Sequence, residues 1–180
     1  MNLVKSAVTG LAVALAFAAP SLAALKVGAK APDFTAQAWL AGKPFTFRLS
    51  DALKKGPVVV YFFPAAHTAG CNIEAHLFSE AIDKFKAQHA TVIGVTAGNT
   101  DELADFSKET EHCSGKFAVA ADPGAQLARK FDAVSATRPD FSSRTSFVIG
   151  KDGKILESYT DPNPTKHVEM TMAAVKAAKS

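Results

Sequence analysis

The chain is short of cysteine: in 180 residues it has two, Cys71 and Cys113. Two sulfurs cannot staple a domain of this length, so its fold has to stand on a hydrophobic core. No Cys-x-x-Cys pair occurs. Thr68 stands three residues before Cys71, and Asn72-Ile73-Glu74 after it holds no second thiol. That absence weighs against a thiol–disulfide oxidoreductase, in which a neighbouring thiol rapidly resolves the mixed disulfide. Charge runs are missing too. The formal charge is +3 with the basic residues scattered, which offers nucleic acid no electrostatic track. Familiar metal spacings are absent. His67, Cys71 and His76 are close in sequence, but a helix opening near Cys71 leaves His67 in the preceding loop and His76 more than a turn along. A copper or zinc carrier is therefore the weaker alternative, no metal or cofactor is implied, and His112 and His167 read as surface residues. No internal repeat, low-complexity segment or linker divides the chain.

Long apolar runs are also scarce. Residues 7–18 form an apolar stretch of roughly 12 residues, where a bilayer span needs about 20. Lys5 precedes it and Pro20-Ser21-Leu22-Ala23 follows, the layout of a cleavable secretory signal. Residues 1–23 are therefore expected to be a signal peptide, which leaves 180 − 23 = 157 residues, 24–180, as one domain. The expected location is periplasmic or secreted, where disulfides are permitted.

What is present alternates in period. Residues 34–39 and 44–47 flank Ala41-Gly42-Lys43 and predict a β-hairpin. Ser50 to Gly56 suits a helical turn closed by glycine. Residues 57–63 are continuously apolar, the mark of a buried central strand. From Cys71 the period becomes helical, with Ile73, Leu77, Ala81, Ile82 and Phe85 on one face and Glu80, Asp83, Lys84 and Lys86 largely opposite. Residues 91–96 predict a strand. Asn99 with Glu102 resembles a capping box opening a helix to about Glu109. Residues 117–121 form a further strand, and Asp122-Pro123 starts a helix carrying Leu127, Ala128 and Phe131. Residues 133–143 are irregular. Two β-patterned runs, 145–149 and 155–159, enclose Lys151-Asp152-Gly153, a hairpin signal. Val168, Met172 and Val175 give a terminal helix. Alternating strands and helices of this kind build a three-layer α/β/α domain.

The chemistry gathers at Pro64-Ala65-Ala66-His67-Thr68-Ala69-Gly70-Cys71, between the buried strand and the helix. Amides at a helix start favour an anion, so a thiol there is expected to be acidic and exposed enough to react. An ordinary thiol has a pKa of about 8.5, and lowering it to about 6 needs roughly 3.4 kcal/mol. A helix terminus supplies about 0.3–2 kcal/mol, so a fixed cation has to stand nearby.

Pro64-x-x-x-Thr68-x-x-Cys71 resembles the active-site signature of the peroxiredoxins, thiol peroxidases of thioredoxin-like fold. The similarity extends through most of residues 24–180. It takes in Val27-Gly28, Ala31-Pro32-Asp33-Phe34, Asp122-Pro123, and Arg144-Thr145-Ser146-Phe147-Val148-Ile149 with its Lys-Asp-Gly hairpin. Glu74, three residues after the cysteine, is most similar to the bacterioferritin-comigratory, or Q-type, subfamily. The resemblance implies a thioredoxin-like three-layer α/β/α domain with an N-terminal β-hairpin extension. It implies that Cys71 attacks a peroxide and becomes a sulfenic acid. Arg144 would be the fixed cation, Thr68 a hydrogen-bonding partner of the substrate, Pro64 a shield for the sulfur, and Glu74 an orienter of Arg144. The helix amides of Gly70 and Cys71 would polarise the O–O bond. The partners implied are hydrogen peroxide or an organic hydroperoxide and a thiol reductant, thioredoxin-like or glutathione-type, acting on a monomer. Where many Q-type members carry a resolving cysteine this chain has His76. Others resolve from the following helix, which points to Cys113 in an expected mobile loop, 111–115; a one-cysteine enzyme is the alternative. Ala65, Ala66 and Ala69 depart from the more polar loop of such proteins and bear on substrate preference.

Overall fold

The computed structural model describes residues 24–178; the expected signal peptide lies outside the described residues. Ala41 and Gly42 close the expected hairpin at φ 51° and 77°, a left-handed pair whose twist suits antiparallel strands. They join β1 (Thr35–Leu40) and β2 (Lys43–Arg48), which pair from Thr35↔Arg48 to Leu40↔Lys43. α1 (Leu49–Leu53) follows at once, its Ser50 N–H held by Asp33 Oδ1 at 3.1 Å. β3 (Val58–Phe62) is buried at every position, as an unbroken apolar run demands. It lies parallel to β4 (Thr91–Thr96) and antiparallel to β6 (Thr145–Ile149).

With β5 (Ala118–Ala121) and β7 (Ile155–Thr160), the sheet runs β2-β1-β5-β4-β3-β6-β7. The N-terminal hairpin extends this sheet, since β1 pairs with β5 through Ala38↔Ala120 and Trp39↔Val119. Successive side chains of β3 point to opposite faces. Val58, Val60 and Phe62 join a core that includes Leu49 and Ala52 of α1 and Leu127 and Ala128 of α4 (Gln126–Lys130). Val59, Tyr61 and Phe63 join a second core with α2 (Ala69–Ala87), α3 (Leu103–Lys108) and α5 (His167–Ala177). This is the expected three-layer α/β/α arrangement.

Two local expectations are corrected. α2 begins at Ala69, two residues before Cys71, and its buried side is Cys71, Glu74, Ala75, Phe78, Ala81, Ile82 and Phe85. Ile73 is 49% exposed, because the face that meets the sheet is centred on Cys71, Ala75 and Phe78. Asn99 and Glu102 form no capping box. Asn99 sits at φ 53° and its Nδ2 donates to the carbonyl of Ala66 at 2.8 Å, while Glu102 turns to His67. Both side chains are used to hold the loop after β3 instead of the helix. A short 3-10 turn (Thr100–Glu102) then leads into α3, which ends at Lys108. Asp122-Pro123 does open a helical segment, through a 3-10 turn (Pro123–Ala125). The Asp122 carboxylate accepts from Leu127 N at 2.8 Å and Ala128 N at 2.9 Å, capping α4 from across that turn.

Candidate active site

The strand–loop–helix junction is built by the end of a hydrogen-bond ladder. Phe63 N donates to Val95 O at 3.0 Å, but Pro64 has no N–H, and beyond it only an isolated bridge, Ala65↔Gly98, remains of the ladder. The loop then turns through His67 at φ 57°. Thr68 has the extended backbone of an N-cap, yet its Oγ1 donates to Ala65 O at 2.9 Å instead of capping a helix amide. The hydroxyl proton is thus engaged within the loop, and the oxygen's lone pairs are left to accept. The first intrahelical bond is Asn72 N to Thr68 O, 2.8 Å. The amides of Ala69, Gly70 and Cys71 in this first turn have no intrahelical acceptor and make its positive pole.

Arg144, just before β6, comes to this pole from the far side of the sequence. Its Nη2 donates toward Cys71 Sγ at 3.5 Å, its Nε to Pro162 O at 3.0 Å, and its Nη1 to Glu74 Oε2. One planar guanidinium therefore holds the sulfur, a carboxyl and a backbone carbonyl in a fixed fork. It lies so close to the helix that a Cβ added at Gly70 would sit 3.0 Å from Nη2. The structure brings Cys71, Glu74 and Arg144 together. Thr68 lies three residues before the sulfur at the exposed rim, and Pro64 is half-buried at the strand end.

Two expectations about the sulfurs are revised. Cys71 is 1% exposed, so the expected open thiol is a recessed one: with α2 beginning at Ala69, Cys71 falls on the inner side of the first turn. Cys113 is fully buried in the same core cluster as Cys71 and Tyr61, and burial pushes its thiol well above the usual range. Both cysteines are free. Tyr61 is buried beside them, and burial drives its hydroxyl well above the usual range. The turn carrying Cys113 is tied down by Ser114 N to Glu109 O (2.9 Å), Gly115 N to Ser107 O (2.9 Å) and Lys116 N to Cys113 O (2.9 Å).

Glu74 and Arg144 form a buried pair, the carboxyl fully enclosed and the guanidinium 8% exposed. Burial pushes the Glu74 carboxyl up to about 8, against the pull of Arg144 toward the anion. Burial also opposes the Arg144 charge, but Glu74 and the Cys71 sulfur outweigh it and hold the guanidinium above its usual value. Since a guanidinium keeps its proton throughout the ordinary range, the titration of the pair falls on Glu74.

Sequence reasoning missed the other side of this carboxyl. His167, expected at the surface, is fully buried, with Nδ1 3.5 Å from Glu74 Oε1. Its Nε2 meets the Asp161 carbonyl at 2.9 Å, and because a carbonyl only accepts, the ring proton sits on Nε2. Nδ1 is then the acceptor for the Ser146 hydroxyl at 2.8 Å. Burial above all, with the nearby Arg144, lowers the pKa of His167 and favours the neutral ring. One signal was present in the sequence. Ser146 lies two residues after Arg144, and a strand's period of two puts both on one face.

His67, Cys71 and His76 do not converge. His76 stands on the outer face of α2, 3.5 Å from Glu80, while His67 turns to Glu102 and Glu109. His112, also expected at the surface, is 9% exposed and joins Glu109.

The AhpC/TSA family model matches residues 27–158. Among curated proteins, the chain is similar to chloroplastic peroxiredoxin Q of Sedum lineare, 28% identical over 153 residues, 84% of this chain and 78% of that one. It is 30% identical to the chloroplastic 2-cysteine peroxiredoxin of Chattonella marina var. antiqua over 138 residues, 74% of this chain and 70% of that one. The matched share of such relatives falls to 57% for peroxiredoxin Q of Gentiana triflora. Among solved structures, peroxidoxin BcpB from Mycobacterium tuberculosis superposes with a TM-score of 0.76 at 26% identity, covering 87% of this chain and 99% of that one.

Proposed function

This chain belongs to the AhpC/TSA family and is a Q-type-like peroxiredoxin, and from that premise we propose that Cys71 is its peroxide-reducing sulfur. The reaction is thiol-dependent peroxide reduction. The observation that carries the assignment to Cys71 is the Arg144 Nη2 contact with its Sγ at 3.5 Å, in the first turn of α2.

The Cys71 thiolate attacks one oxygen of R–O–O–H, and the electron pair of the O–O bond leaves with the other oxygen. That oxygen takes a proton and departs as water or an alcohol, while Cys71 becomes a sulfenic acid. Arg144 and the amides of Gly70 and Cys71 supply positive charge where the departing oxygen gains negative charge. Thr68, with its proton held by Ala65, accepts from the peroxide O–H and so orients it. Pro64 closes the strand side of the sulfur, and Glu74 fixes the orientation of Arg144.

The Cys113 thiol then displaces water from the sulfenic acid to form a Cys71–Cys113 disulfide, which a thiol reductant returns to the two thiols. Both sulfurs lie on the same face of the sheet, but each is buried, so this step needs local opening of the first turn of α2 or of the turn at 109–116. The signal-like residues 1–23 support export, and therefore a thioredoxin-like or glutathione-type reductant of an exported compartment; the likeness to Q-type peroxiredoxins supports a monomer.

Cys71→Ser is expected to abolish dithiothreitol-dependent loss of hydrogen peroxide. After one equivalent of peroxide, intact-mass measurement should find the wild type lighter by two hydrogens and Cys113→Ser heavier by one oxygen. Full activity in Cys71→Ser would overturn the assignment, and a lasting added oxygen on the wild type would remove Cys113 from the cycle. Mass of the chain recovered after expression of all 180 residues reads the cleavage after Ala23.

A further inference from the structure

We infer that His67, Glu109 and His112 form a binding site for one divalent cation of the zinc, nickel or copper(II) class, at the rim of the loop that leads to Cys71. The three come from two segments that the fold presses together, the loop between β3 and α2 and the turn after α3. His67 Nε2 lies 2.9 Å from Glu109 Oε2, and His112 Nδ1 lies 2.7 Å from the same oxygen. The three atoms that would ligate all fall within 4.8 Å of one another. Each of the two nitrogen–oxygen contacts requires a proton between its atoms, and one cation would replace both.

The donor set decides the class of ion. Two imidazole nitrogens and one carboxylate oxygen suit zinc, nickel or copper(II), whereas magnesium and calcium take oxygen. Around tetrahedral zinc, ligand atoms stand about 3.3 Å apart, so the two short contacts open slightly and the histidine–histidine edge closes. Three protein ligands leave a fourth position for water.

The surroundings hold the rings for that task. The far nitrogen of His67, Nδ1, meets Glu102 Oε2 at 2.5 Å. A carboxylate behind a histidine fixes the tautomer that presents the other nitrogen's lone pair and raises its basicity. Phe106 stacks on the His112 ring at 4.8 Å and meets His67 edge-on at 5.3 Å. Side-chain exposure rises from 11% at His112 through 29% at His67 to 41% at Glu109, which gives the ion a way in from solvent. A cation there ties the loop carrying Thr68 to the turn carrying Cys113. Its binding does not depend on how Cys71 is regenerated.

The test uses the untagged full chain bearing Cys71→Ser and Cys113→Ser, which removes thiols as competing ligands. Calorimetric titration with zinc should give one site, weakened about 100-fold or more by His67→Ala or His112→Ala and about 10–100-fold by Glu102→Gln. Imidazole NMR of the thiol-free parent needs no further substitution, and zinc should shift the His67 and His112 signals while sparing His76, His89 and His167. Zinc affinity unchanged in both histidine variants, shifts confined to the other histidines, or no binding at about 1 mM zinc would each overturn the site.

Discussion

At the scale of the residue, the site turns on one guanidinium with three obligations. Arg144 reaches Cys71, Glu74 and the Pro162 carbonyl through three different nitrogens. A lysine carries the charge but offers a single flexible point donor, which cannot serve all three. Arg144→Lys is therefore expected to lower kcat/KM for peroxide by about 10²–10³, the usual loss for one preorganised donor. Gly70→Ala probes the same contact from the other side. Its methyl would stand 3.0 Å from Nη2, pushing the fork away from the sulfur, so peroxide turnover should fall while the urea midpoint barely moves. Unchanged steady-state rates in Gly70→Ala would mean that the approach of Arg144 to the helix pole is dispensable. The sequence made Arg144 legible through an energy shortfall, since a helix start alone falls short of a strongly acidified thiol, together with its place in the family pattern. His167 was illegible for a different reason. Its burial comes from carbonyl, hydroxyl and carboxyl partners at Asp161, Ser146 and Glu74, and none of these is written in its local periodicity.

At the scale of the element, α2 shows how hydrophobic pattern and burial part company. Its fully buried positions include Glu74, and its exposed ones include Ile73. A rule that counts apolar side chains turns the face toward Ile73 and Leu77. The helix instead turns so that Glu74 reaches Arg144, with Phe78 stacked on Tyr61 at 4.5 Å. Enclosing a carboxyl so completely is tolerable only with a partner, and the partner lies 70 residues away. The difference is measurable by denaturant unfolding. Phe78→Ala is expected to destabilise the fold by about 3–5 kcal/mol, whereas Ile73→Ser should stay within about 0.5 kcal/mol. Equal losses for the two would restore the face that hydropathy alone selects. Strands were easier to read, because β3 is buried on both sides and an unbroken apolar run has no other comfortable place. Boundaries set by side chains borrowed from elsewhere, such as Asn99 and Glu102, were not.

At the scale of the whole molecule, the sheet order brings β3, which leads to Cys71, beside β6, which follows Arg144, and α5 packs over both Glu74 and β6. The enclosed carboxyl this creates makes stability depend on pH. Glu74 is raised from 4.5 to about 8 by burial, so between those values the folded chain holds a proton that the unfolded chain releases. Stability is then greatest below the unfolded value and declines as pH rises toward about 8, by up to about 1.4 kcal/mol per pH unit for one proton. His167 works the other way. Its pKa is lowered from 6.5 by burial, so below 6.5 it adds stability as pH rises and offsets part of the slope. His67 is raised from 6.5, burial opposing and Glu102 and Glu109 prevailing, so its contribution is lost above 6.5. Glu74→Gln keeps a carbonyl oxygen for Arg144 and removes only the titration. The wild-type advantage over Glu74→Gln should therefore shrink steadily as urea midpoints are taken from about pH 5 to about pH 8, and do so even above 6.5 where His167 has stopped contributing. A gap that stays level across that range would mean Glu74 is already a carboxylate at its lower end, with Arg144 overcoming the burial that encloses it.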